Sequence, residues 1–471
     1  MGAPLNTATE RPRVVIISHD LVGERMAGPG IRYWELARVL ARTCDVTLAA
    51  PGEPSPAAEL RVVPYRPGAT EALRQALAQA GVVVAYGYLL HDLPFLADLD
   101  LPLVLDLYIP GPAESLPLHA HRPLAWQEAQ QRADLALLAR VATAGDFYLC
   151  ASDRQRDFWL GFLAAAGRLT PAAFAHDPTL RSLIDVVPFG LPDGPPPAVS
   201  PLFRGVHPGI GPHDRLIVWG GGIWDWLDPL TLIRAVARLS ADRPDVRCVF
   251  PGAAHPWPAQ VPGSSLLGQA RALSAELGLS GRAVFWGDWV PYARRAGYLL
   301  EADVGVSLHR DSVESRLAFR TRILDYVWAG LPMVVSHGDV LAEEVARAGL
   351  GQVVACGDVD GVAQALASLL DDPQARARRQ PAFQALAQRY AWPRVARPLV
   401  AFCDHPRRDP CRGQGPQGIC VELAERLARA ERQARELESL VAGYRRGRVM
   451  RLLARWQALR RRVRPVREGK P

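Results

Sequence analysis

The chain has 471 residues, of which 49% are hydrophobic and 22% charged, the make-up of a folded soluble protein with room for two domains and an appendage. Its net charge of +7 gathers at one end: residues 421–471 hold 15 basic and 6 acidic side chains, so the rest of the chain is slightly acidic. Lys470 is the only lysine, which excludes a lysine-bearing phosphate loop, a kinase strand lysine and, in the globular part, a Schiff-base enzyme. Any phosphate must then be held by arginine and backbone N–H groups.

Residues Met1 to Arg13 show no apolar stretch behind basic residues, so neither a secretory signal nor a membrane span is expected. Short β-branched runs follow at 13–18, 45–49, 61–65, 81–85, 103–107 and 147–151, with amphipathic stretches such as 31–43 and 153–169 between them. This alternation predicts a parallel, doubly wound sheet. A Pro/Gly-rich stretch from Pro188 to Pro212 interrupts it, and new strand candidates then follow at 215–219, 246–250, 283–286, 303–307, 333–336 and 352–355. Two Rossmann-like α/β domains facing a cleft are therefore expected: residues 1–190 on the acceptor side, a linker at 191–212, and residues 213–404 on the donor side. Ligands in such sheets sit at the carboxyl ends of the strands, which places the shared site in the cleft.

Beyond a polar Pro/Gly segment, residues 421–467 read as a helical extension. Leu423, Leu427, Ala430, Ala434, Leu437, Val441 and Tyr444 alternate at steps of four and three, the pattern of a short coiled coil, so 421–444 is a candidate homodimer seam. Residues 445–467 form a basic helix with Val449, Leu452, Leu453, Trp456 and Leu459 on one face. That helix fits a solvated surface, a nucleic-acid arm or an anionic membrane surface, and its leucine and tryptophan residues favour the membrane. The seven cysteines are scattered and never spaced as C-x-x-C, which fits reduced thiols in a cytoplasmic protein rather than disulfides or zinc.

The segment from Val313 to Pro332 (VESRLAFRTRILDYVWAGLP) lies between two strand candidates, at the edge where sites form. A helix opening after a loop there turns unpaired N–H groups outward. Arg320 and Arg322 add positive charge where a diphosphate could rest, and Asp325 stands one turn further in, where a carboxylate could take ribose hydroxyls.

Glu314, Arg320, Arg322, Asp325 and the Ala329-Gly-Leu-Pro332 turn resemble the donor-binding signature of retaining glycosyltransferase family 4, whose members have the GT-B fold. That signature has two acidic residues eight apart. Asp325 takes the second position, while eight residues before it stands Leu317, so Glu314 matches the first imperfectly. The Gly28-Pro-Gly-Ile-Arg32 run is similar to the family's first glycine loop, and Trp219-Gly-Gly-Gly-Ile-Trp224, with Gly221 and Gly222, to its second. Trp224-Asp225-Trp226 stands where many relatives carry a basic pair, shifting phosphate binding towards Arg320 and Arg322. Asp106, at a strand end, matches the polar residue presented to the reacting sugar, and the Gly287-Asp-Trp-Val290-Pro turn resembles the loop that reads the base. The resemblance implies sugar transfer from a nucleoside-diphosphate sugar to a glycan or lipid-linked acceptor. It also implies retention, no metal or other cofactor, and a place at the inner face of the cell membrane.

Each residue also has a plainer role. Arg320 and Arg322 could be a solvated helix face, Asp325 a local ion-pair partner, and Glu314 a first-turn charge. Gly28 and Gly30 could only shape a turn, and Glu114 could only cap a helix. Asp98-Leu-Asp100 and Asp358-Val-Asp360 spell a metal motif of other glycosyltransferases but fit a turn and a helix start. His91, His207, His255 and His309 read as loop histidines. Two rival functions remain: a nucleotide-sugar 2-epimerase of the same architecture, and, less in keeping with the sequence, nucleic-acid binding through the tail.

Overall fold

The computed structural model describes residues 11–52, 59–254 and 265–413, with Gln433, Leu437, Val441 and Trp456 beyond them. Residues 1–413 form one compact unit and 414–471 a second. The coiled-coil seam and the basic helix expected at 421–467 lie outside the described residues, apart from the four helical positions just named.

Two parallel sheets carry the first unit. In the first half, β1 (Arg13–Ile17), β2 (Asp45–Pro51), β3 (Arg61–Tyr65), β4 (Val82–Tyr86), β5 (Leu103–Asp106), β6 (Phe147–Cys150) and β7 (Ile184–Val186) run in the order β3-β2-β1-β4-β5-β6-β7. In the second half, β8 (Arg215–Val218), β9 (Val246–Phe250), β10 (Val284–Trp286), β11 (Val304–Ser307), β12 (Met333–Ser336) and β13 (Gly351–Val354) take the order β10-β9-β8-β11-β12-β13. Both are the doubly wound arrangement, with the order reversing beside β1 and β8. The central strands are buried along nearly their whole length, which is why they read as continuous apolar runs rather than alternating ones.

Most expected strands appear within a residue or two of their sequence bounds. The three-residue β7 and the 21-residue Leu124–Ala144 helix were not foreseen. That helix buries only Leu138, Val141, Ala142 and Ala144, all near its end, so it carries no apolar stripe for periodicity to detect. No described helix is long and apolar enough to cross a membrane.

The halves share a core. An apolar cluster runs from Val14 and Leu36 in the first half through Phe189, Leu191 and Trp392 to Ile323 and Leu331 in the second. The linker is not one body: the backbone N–H groups of Leu202, Phe203 and Arg204 donate to Glu301, so its later part belongs to the second half. The chain then crosses back. Leu191 N donates to Tyr390 O at 2.7 Å and Trp392 N to Leu191 O at 2.9 Å, laying the two crossings side by side. Gly190 is required there, since a Cβ would lie 2.5 Å from the Trp392 ring. After the crossing, Phe402 stacks on Phe147 at 4.9 Å, Arg168 pairs with Asp409 at 2.6 Å, and Arg412 pairs with buried Asp146 at 2.7 Å. Residues 397–413 thus pack on the first half.

Candidate active site

The Val313–Pro332 segment folds as two short helices rather than one, Val313–Leu317 and Thr321–Trp328. Ser312 caps the first through a reciprocal pair with Ser315, so its start is fixed locally. The break at 318–320 brings Arg320 back onto Glu314, with Nη2 2.6 Å from Oε2. Both are buried, Glu314 completely and Arg320 at 8% exposure. The second carboxylate oxygen of Glu314 and Nε of Arg320 are buried without a hydrogen-bond partner.

Arg322 lies over the Trp219 ring at 4.7 Å and donates through Nη2 to Gly222 O at 2.8 Å, while its Nη1 is buried without a partner. Burial lowers its guanidinium to about 10, and neighbouring Arg320 adds to the fall. A cation disfavoured in this way gains from any anion that reaches it. Gly221 adopts φ +82° beside it, a backbone conformation that suits glycine.

Asp325 is paired with Arg295, Nε to Oδ1 3.1 Å, and burial raises its carboxyl against the pull of that arginine. The Arg295 guanidinium sits 3.8 Å from the Tyr292 ring centroid and 4.3 Å from that of Trp328. Val290, in the turn before Tyr292, packs on the shared core by a partly buried side chain.

His309 departs from the expected loop histidine. It is fully buried after β11, with Nε2 3.0 Å from His337 O and Nδ1 3.7 Å from Asp339 Oδ2. Oδ1 of Asp339 caps the Val340–Ala348 helix by accepting from Leu341 N and Ala342 N at 2.7 and 2.8 Å. Burial raises Asp339 to about 6 and lowers His309 to about 3, with Arg320 acting on both. A neutral ring with its proton on Nε2 turns a bare Nδ1 towards Oδ2, so a proton on Asp339 suits this pair.

In the first half, Gly28 and Gly30 stand in the first turn of the Gly28–Leu40 helix, not in the expected loop. Pro29 explains the difference, since a proline needs no N–H partner in a first helical turn. Gly30 is sterically required: a Cβ would lie 2.2 Å from Leu21 O. Arg32 and Asp106 do not stand open to the cleft as their expected roles require, because they consume each other. Nε and Nη2 of Arg32 reach the two Asp106 oxygens at 2.6 and 3.0 Å, Tyr33 donates to the same carboxylate at 3.2 Å, and both partners are about 1% exposed. The remaining Arg32 donors go to Pro188 O and Val187 O, at the linker entrance.

Three side chains of the first half grip the Val313–Pro332 segment. Arg154 donates to Arg316 O at 2.9 Å and Gly338 O at 2.7 Å, Gln155 to Leu317 O at 2.9 Å, and Tyr108 to Phe319 O at 3.4 Å. They satisfy the carbonyls at the end of the Val313–Leu317 helix and of the turn that positions Arg320. Nothing local in the sequence signals these contacts. Asp358 caps the helix at Val359–Leu370, the plainer of its two roles, and Asp100 pairs with Arg408. Among the described residues, no three His, Cys, Asp or Glu side chains cluster as a metal site.

Residues 214–372 match the family described as Glycosyl transferases group 1. No curated protein sequence matches the chain. Among solved structures, the chain is similar to a sucrose-phosphate synthase from Thermosynechococcus elongatus, at 15% identity and TM-score 0.58 over 83% of this chain and 98% of that one. It is similar also to WaaG, a glycosyltransferase involved in lipopolysaccharide biosynthesis, at 15% identity and TM-score 0.58 over 83% and 100%. A third is Anabaena HepE in complex with UDP and glucose, at 13% identity and TM-score 0.56 over 83% and 99%. The fold is GT-B. At these identities the likeness establishes the architecture, and the group 1 match places a glycosyltransferase domain on the half that holds Arg320, Arg322 and Asp325.

Proposed function

We propose that this protein is a retaining glycosyltransferase of the family 4 type, transferring a hexose from a nucleoside-diphosphate sugar to a glycan or lipid-linked acceptor in surface polysaccharide or glycolipid synthesis. The observation that carries the reading is the pair Arg320, buried, and Arg322, half-buried, each with a buried nitrogen lacking a partner, at the carboxyl edge of the second sheet. A buried cation with spare donors is costly unless an anion completes it, and a diphosphate supplies two phosphoryl groups for two guanidinia. In transfer, the bond from the anomeric carbon to the diphosphate oxygen breaks and the bond to the acceptor oxygen forms. The arginines stabilise the charge on the departing diphosphate, which takes up the acceptor's proton or leaves it to solvent. Asp325, neutralised by Arg295, takes the ribose. Gly221, Gly222 and the main chain around Val290 complete the donor side, and the basic tail at 445–467 holds the protein to anionic lipid at the inner membrane face.

The test is a thermal-shift panel of nucleoside diphosphates and nucleotide sugars, uridine nucleotides first because HepE was solved with UDP. A ligand bound only by the folded chain raises Tm, and the same sample is assayed for released nucleoside diphosphate. No shift with any nucleotide sinks the reading. Binding with epimerised sugar and no release assigns the chain to the 2-epimerases instead.

A further inference from the structure

The carboxylate of Asp325 is aimed from outside its own half. Arg295 donates through Nε to Asp325 Oδ1 at 3.1 Å and through Nη1 to Tyr292 O at 3.0 Å. Among the described residues, Oδ2 of Asp325 has no hydrogen-bond partner, and the side chain is 30% exposed. One oxygen is therefore held while the other is left for a ligand, and the grip on the first decides where the second points.

Arg295 is itself buried, and its guanidinium is placed by the rings of Tyr292 and Trp328, 3.8 and 4.3 Å away, contacts that orient a guanidinium by its flat face. Neither ring is fixed by the second half alone. The Tyr292 hydroxyl donates to Glu35 Oε1 at 3.2 Å and its backbone N–H to Glu24 O at 3.2 Å, both in the first half. Trp328 Nε1 donates to Gly194 O at 2.9 Å, in the linker. Glu35 is a firm anchor. It is buried on the Gly28–Leu40 helix, and Arg38 donates to its other oxygen at 3.2 Å, so a buried carboxylate with both oxygens engaged has little freedom to follow a displaced tyrosine. Two chains of contacts thus converge on one carboxylate: Glu35, Tyr292, Arg295, Asp325 from the first half, and Gly194, Trp328, Arg295, Asp325 from the linker. Hydrogen bonds weaken steeply when misaligned, so a shift of either ring reaches a ligand as a misdirected Oδ2.

We propose that Glu35, Tyr292 and Trp328 are positioning residues for the ribose contact, so that preference for a ribonucleotide over its 2′-deoxy form is set by the first half and the linker, acting through Arg295. This rests on the glycosyltransferase reading, in which Asp325 takes the ribose.

The experiment is isothermal titration of the full chain with UDP, ADP and GDP, each beside its 2′-deoxy form, continued with the pair whose ribose form binds. The wild-type chain should bind the ribose form about fivefold or more tightly than the 2′-deoxy form, the scale of one hydrogen bond. Tyr292→Phe, which keeps the ring and removes the hydroxyl, and Glu35→Ala should each weaken the ribose form about threefold or more and leave the 2′-deoxy form within about twofold. Trp328→Phe, which removes the donor to Gly194, should do the same. Glu35→Gln keeps an oxygen acceptor for Tyr292 and should retain the preference. A wild-type chain that binds both forms equally overturns the proposal. So does equal weakening of both forms in Tyr292→Phe and Glu35→Ala, the mark of lost packing, or an unchanged ribose preference in both. If no nucleoside diphosphate binds, the glycosyltransferase reading itself fails and takes the proposal with it.

Discussion

Arg320 is buried and Arg322 half-buried, and their removal has different consequences. Arg320→Ala leaves Glu314 fully buried without its partner, a loss of about 3–5 kcal/mol, so Tm should fall by several degrees along with nucleotide binding. Arg322→Ala removes a guanidinium whose protein acceptor among the described residues is Gly222 O and whose ion is already disfavoured by burial. It should retain Tm and lose the nucleotide-induced shift, and a retained shift would remove Arg322 from the site. Arg32→Ala should behave like Arg320→Ala in stability, since Asp106 is left unpaired in the core. The double variant Arg32→Met with Asp106→Leu should recover part of that loss, measured as coupling in a double-mutant cycle. At this scale the sequence was partly legible. Arg320, Arg322 and Asp325 stood out because they cluster beside a strand end, whereas the Arg32–Asp106 pair joins residues 74 apart, and no spacing rule reports such a contact.

The Val313–Pro332 segment is an element finished by another half of the molecule. Arg154, Gln155 and Tyr108 hold the carbonyls of Arg316, Leu317 and Phe319, so the turn that sets Arg320 depends on closure of the cleft. Gln155→Leu together with Arg154→Ala should weaken nucleoside diphosphate binding roughly tenfold while leaving binding of the bare nucleoside unchanged, as isothermal titration would show. Equal weakening of both ligands would mean a general loss of structure. Strands such as Arg61–Tyr65 and Met333–Ser336 were legible to the residue because β-branched runs between turn residues leave little choice. The break at 318–320 was not, since the contacts that favour it, from Gln155 and Tyr108 of the first half and from Arg320 to Glu314, follow no local spacing rule. Gly28-Pro-Gly30 was read as a loop from its resemblance to a family glycine loop, although those residues also suit a first helical turn.

For the molecule as a whole, buried groups set a pH profile. Asp339 and Glu114, raised to about 6 and about 8, keep protons in the folded chain that the unfolded chain releases near pH 4. Their contribution to stability is full below about pH 4 and is lost as pH rises through the folded values. His19 and His309, lowered by burial to about 3, contribute above about pH 6.5 and lose that contribution as pH falls towards 3. The two pairs oppose each other below about pH 6, leaving the fall from Glu114, beside Glu314 and Arg320, uncompensated above about 6.5. The Tm of Glu114→Gln relative to wild type should therefore climb between pH 6 and 8, and a constant difference would contradict the assignment. A chain ending at Gly413 should keep its nucleotide-induced shift, because 1–413 is a compact unit, and should lose co-sedimentation with anionic vesicles.

The paired crossings at Leu191 and Tyr390–Trp392 mean that two covalent ties, not one, join the halves. Side by side they act as a hinge pin: opening reduces to rotation about a single axis, and twisting or sliding is resisted by the second tie. A protease cut in the 191–212 stretch would therefore sever the primary chain without parting the lobes, giving two fragments on a denaturing gel and one peak on a native column.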